Sequence, residues 1–94
     1  MGYTQDSAEV VALGVLAWLA ADDELLPLFL GSTGASEADL RARADDPVFL
    51  GAVLDFLMMD DAWVIAYCDT QGMAYEDIQV ARQALPGGGE VHWT

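Results

Sequence analysis

Apolar residues run along this chain in blocks such as "VVALGVLAWLAA" (Val10 to Ala21) and "VFLGAVLDFLMM" (Val48 to Met59), with short clusters of Asp, Ser and Gly between them. No stretch alternates at the period of a strand, and no Asn-Gly or Asp-Gly pair marks a hairpin. Helix signals recur instead. Asp6-Ser7-Ala8-Glu9 sets a capping residue three before a glutamate, which predicts a first helix at roughly 7–20. Asp22 or Asp23 caps a second helix through "ELLPLFL", closed at Gly31. Pro27 fits only a first helical turn, so this helix is predicted to be short, kinked or partly 3₁₀. Ser36-Glu37-Ala38-Asp39 reads as a capping box opening a third helix at about 37–44. On it, Glu37 with Arg41 and Asp39 with Arg43 stand in the favourable order for helical ion pairs.

Asp46-Pro47 places a cap before proline at the first helical position, and predicts a fourth helix at about 47–58. Asp60 caps a fifth at about 61–71 that ends at Gly72, with Met59 and Val64 at the positions of a hydrophobic staple. A sixth follows at about 75–84, with Arg82 near its C-terminal end, where a cation suits the dipole. "PGGG" (Pro86 to Gly89) stops it. The predicted fold is all-α, a compact bundle of five or six short helices around the fourth and fifth. It forms a single helical domain over 1–85, followed by a Gly-rich C-terminal tail, 86–94, that carries His92 and Trp93.

Composition sharpens this picture. The 94 residues carry 16 acids against 3 arginines and no lysine, for a net charge of −13. That charge repels phosphates and anionic membrane surfaces, so neither nucleic acid nor membrane is an expected partner. A protein that mimics DNA, or one that binds a basic protein, stays open at this charge. The hydrophobic fraction is 54%, high for a small body with much surface per unit volume. A homodimer that covers part of the surplus is therefore expected, with acids sparse at the contact. "VVALGVLAWLAA" is shorter than the roughly 20 residues that span a bilayer. "MGYTQDSAE" lacks the basic region of a secretory signal, so a cytoplasmic location is expected. Asparagine is absent while alanine and aspartate abound, a bias of GC-rich bacterial genomes.

Candidate chemistry is sparse. The pairs Asp22-Asp23, Asp45-Asp46 and Asp60-Asp61 all sit at predicted helix starts, where a carboxylate accepts hydrogen bonds from first-turn N–H groups. None has the alternate spacing of a calcium loop, and no Glu-x-x-His pattern suggests a di-iron site, so no metal and no cofactor is expected. Cys68 and His92 could form a nucleophile and base. However, Cys68 lies in an apolar helix beside Asp69, and His92 follows a triple glycine that gives poor support. "GSTGAS" is Gly-rich but has no lysine and no strand, and reads as a connecting loop. Asp55 interrupts the fourth helix. If exposed, it marks a wet stripe with Gly51 and Met59; if buried, it must pair with Arg41, Arg43 or Arg82, and exposure is favoured because unpaired burial is costly. The aromatics Trp18, Phe29, Phe49, Phe56, Trp63, Tyr67 and Tyr75 fall in helical segments and read first as core.

The stretch "LAADDELLPLFLGSTGASEADLRARADDPVFLGAVLDFLMMDDAWVIAYCD", with the ending "ALPGGGEVHWT", resembles a family of small alphaproteobacterial proteins, the domain of unknown function 3572 family. The likeness is most specific in "LGSTGAS" and "MMDDAWV". It implies a bacterial, cytosolic, all-helical protein and supplies no activity or site. The functional expectation is a non-enzymatic protein-interaction or regulatory module, with Met58, Met59, Trp63 and Trp93 as its candidate surface, because methionine adapts to irregular partners. The alternative is an acidic mimic or neutraliser of a basic nucleic-acid-binding partner. An enzyme with an unrecognised carboxylate site comes third.

Overall fold

The computed structural model describes residues 3–87. Among them the chain forms six helices and no strand: α1 (Gln5–Ala20), α2 (Leu25–Thr33), α3 (Glu37–Ala42), α4 (Pro47–Leu57), α5 (Asp61–Gln71) and α6 (Glu76–Gln83). The all-α prediction holds, and so do most of the capping signals. Ser36 and Asp39 form a reciprocal capping box on α3, and Asp46 accepts from the Val48 amide at 3.0 Å. Asp60 accepts from the Ala62 amide at 2.9 Å. Asp22 stands two residues before Glu24, the N-cap of α2, and takes the amides of Glu24 and Leu25 at 2.8 and 2.9 Å, so it holds the turn that leads into the helix rather than the cap position itself.

Several boundaries differ from the sequence expectation. α1 is capped by Thr4, not Asp6, because Thr4 and Ser7 bond reciprocally and start the helix two residues earlier. Asp6 then sits in the first turn, where its charge meets the dipole. α2 runs through Gly31 and ends at Gly34, whose φ of 74° only glycine adopts easily. Pro27 lies in the first turn of α2, so it costs no internal hydrogen bond. On α3 neither expected ion pair forms. Arg43 instead lies 3.8 Å from Asp46 and 4.8 Å over the Phe49 ring.

The centre also shifts. α4 buries Phe49, Leu50, Gly51, Val53, Leu54, Phe56 and Leu57, leaving Val48, Asp55 and Met59 as its outer stripe. Its main partner is α1 rather than α5. The reason lies in face geometry. Ala8, Ala12, Val15, Leu16 and Leu19 recur on one side of α1, whereas α5 buries only Tyr67 and Cys68 and turns Ala62, Ile65 and Ala66 to solvent. α6 and α2 cover other sides of α4. Tyr67 ties α5 to α1. Its hydroxyl occupies the notch at Gly14, where an added Cβ would lie 2.5 Å away, and Trp18 meets its ring edge-on at 5.6 Å. α3 buries nothing fully.

If Asp60 acts as a cap, Asp60→Ala will cost about 1 kcal/mol in denaturant unfolding and Asp60→Ser a few tenths. Equal losses for the two would show that the carboxylate charge, not the cap bond, carries the effect.

Candidate functional site

The sequence candidates converge where α4 turns into α5. The Met58 amide donates to the Leu54 carbonyl at 3.0 Å and the Met59 amide to that of Phe56 at 3.1 Å, so the corner is closed by the last carbonyls of α4. Asp60 then caps α5 with no slack between them. Met58 is half-buried against the core, while Met59 stands 69% exposed. Trp63, one turn into α5, stacks on Phe56 at 4.9 Å with 22° between the rings. Phe56 meets Phe29 at 5.3 Å, and Phe29 meets Phe49 at 5.9 Å. Trp63 is thus the outer end of an aromatic row that begins in the core. Trp93, the fourth candidate, lies outside the described residues, as do His92 and most of the tail.

α6 supplies the facing wall. Met58, Asp61 and Val64 meet Tyr75, Glu76, Ile78 and Gln79 around an open groove of about 340 Å³. Tyr75 is half-exposed, and its hydroxyl donates to the Asp69 carboxylate at 2.9 Å. That bond, with the charge of Asp69 behind it, holds the Tyr75 phenol above its ordinary pKa. The α6 members were invisible in the sequence as site residues, because only the packing of α6 beside the corner brings them within reach of Met58.

The position of α6 is set partly by an ion pair. Arg82 donates through Nε to Asp55 Oδ1 at 2.7 Å and through Nη2 to Oδ2 at 3.1 Å, and through Nη1 to the Pro86 carbonyl at 3.0 Å. The guanidinium lies flat over Gly51, where a Cβ would sit 3.0 Å from its Cζ. Asp55 is therefore both exposed and paired, and Gly51 is buried beneath the arginine rather than wet as expected.

Other chemistry is weak. Cys68 is buried, with its Sγ 3.8 Å from the Ala74 carbonyl. Burial, then Asp77 and Asp69, push its thiol up, away from the reactive thiolate. Among the described residues no three His, Cys, Asp or Glu side chains come together as a metal site. None of the described helices is long and apolar enough to cross a membrane.

The Asp55–Arg82 pair has its acid largely in solvent, which limits its strength. A double-mutant cycle with Asp55→Asn and Arg82→Gln will give a coupling of about 0.5–1 kcal/mol in thermal melts, reduced at high salt. A coupling of zero would reduce the contact to packing alone.

No curated protein and no solved structure matches the chain. The sequence model of a family described as "Protein of unknown function (DUF3572)" matches residues 5–88, nearly all of the six-helix fold, and the chain belongs to that family.

Proposed function

We propose that the protein is a non-enzymatic interaction module of the bacterial cytoplasm, and that its binding face is the corner of Met58, Met59 and Trp63 with the groove beside it. The observation that carries this reading is Met59. A methionine 69% exposed at the end of the most buried helix, next to an open groove, is an adaptable apolar contact with none of the described residues over it. A catalytic reading finds less support. The groove is shallow, and its two carboxylates, Asp61 and Glu76, each stand in the first turn of a helix, where they already serve the dipole.

A second reading, self-association, is favoured by α1. Val10, Leu13, Ala17 and Ala20 form an exposed stripe, and no charged residue occurs between Val10 and Ala21 in a chain with 19 of them. Two copies packed antiparallel about a two-fold axis would set Val10 against Ala20 and Leu13 against Ala17, large against small. The acids would then lie away from the contact. Four residues per copy bury less than the roughly 1,200 Å² of a stable interface, so such a dimer would be weak.

One experiment separates the readings. A photoreactive benzoylphenylalanine is placed at Met59, at Leu13 or at exposed Asp23 and irradiated in host cells. The module reading expects a distinct heterologous adduct from position 59 and none from 23. Self-association expects a homodimer adduct from position 13. Identical adducts from all three positions, or none from 59, would reject the corner as a binding face.

A further inference from the structure

The groove's lining says what kind of partner it takes. Met58, Val64 and Ile78 give it an apolar floor, and Tyr75 a flat aromatic wall whose hydroxyl is tethered to Asp69. Asp61 and Glu76 add two carboxylates to the same lining, and Gln79 an amide. Its volume, near the lower limit for small-molecule sites, suits one or two side chains. No cation lines it. The chain has three arginines and no lysine, and the arginines are placed elsewhere. Arg82 is held by Asp55, Arg43 lies against Asp46 and Phe49, and Arg41 faces a separate hollow with Glu37. An arginine or lysine that meets Asp61 and Glu76 must therefore arrive on another molecule.

Resting on the interaction-module reading, we propose that the groove docks a basic, amphipathic segment of another protein, with an arginine side chain as its anchor. The aliphatic stem of arginine fits an apolar floor, and its planar guanidinium can stack on a tyrosine face while it bonds carboxylates. A second copy of the chain is a poor occupant, because two bodies at −13 repel and two of its three arginines, Arg43 and Arg82, are held in ion pairs of their own. Nucleic acid and anionic lipid are repelled by the same charge. The net negative charge also speeds encounter with a basic segment, and the apolar floor then distinguishes a docked segment from a merely attracted one.

The test uses the intact protein, isotope-labelled, and a short acetylated peptide alternating arginine and leucine. Three controls accompany it: the same peptide with serine for leucine, the same peptide with glutamate for arginine, and spermidine. The expected amide shifts concentrate at Met58, Val64, Tyr75 and Gln79. Asp61→Asn with Glu76→Gln weakens binding about tenfold. Asp23→Asn with Asp45→Asn, which removes the same charge away from the groove, weakens it less than about twofold. The fold of each variant is verified from its own amide spectrum. Equal weakening by the two double variants, shifts spread over the whole surface, or binding of the serine peptide or spermidine as tight as that of the leucine peptide would overturn the proposal. Absence of peptide binding while position 59 still cross-links a partner would overturn the partner chemistry and leave the module reading standing.

Discussion

The rest of the molecule depends on one packing contact, that of α4 against α1. α4 is apolar on every side but one, and a helix of that kind is stable in water only when neighbours cover it. α1 supplies the largest share of that cover with a face of alanine, valine and leucine. Leu19, Leu50, Leu54 and Leu57 are fully covered, each contributing about 1.5–3 kcal/mol of burial. α2, α5 and α6 fill the remaining sides. Because α4 is fixed, the corner that follows it is fixed, and Met58, Met59 and Trp63 are presented from a rigid base.

The charge distribution follows from the same arrangement. None of the described polar or charged residues is buried, so the core carries no ionic cost. The negative charge is spread over the surface, and the arginines are used where a contact also needs a flat or long side chain. Arg82 covers the Gly51 backbone and bonds Asp55, joining α6 to α4. Arg43 lies over Phe49 and near Asp46. These placements leave the carboxylates of the groove without an arginine from their own chain, the condition on which the proposed docking of a basic segment rests.

The sequence made the helices legible because their ends carry local chemistry. Asp46-Pro47, Asp60 and Ser36 with Asp39 each act through neighbours within three residues, so their roles can be read without a fold. The misread ends failed for equally local reasons. Thr4 with Ser7 forms a box that begins two residues before Asp6, and Gly31 is compatible with helix while Gly34 takes the left-handed conformation. What depends on distant pairing was not legible. Three arginines were open to Asp55 and nothing near it singled out Arg82, and nothing near Met58 points to Tyr75 or Gln79. The apolar content of α5 suggested a central helix, but its residues are spread around the axis rather than gathered on one face, and that distribution made it peripheral.

Native-state hydrogen exchange tests the central claim most directly, because it ranks the helices by the free energy needed to open them. With α4 held by α1 at the centre, the amides of Leu50, Val53, Leu54 and Leu57 should be the slowest, together with those of Leu16 and Leu19, and should exchange only at the global unfolding free energy. α3, which buries nothing fully, should exchange by local opening well below that limit. Amides of α5 or α3 protected as strongly as those of α4, with α1 exchanging early, would contradict the account.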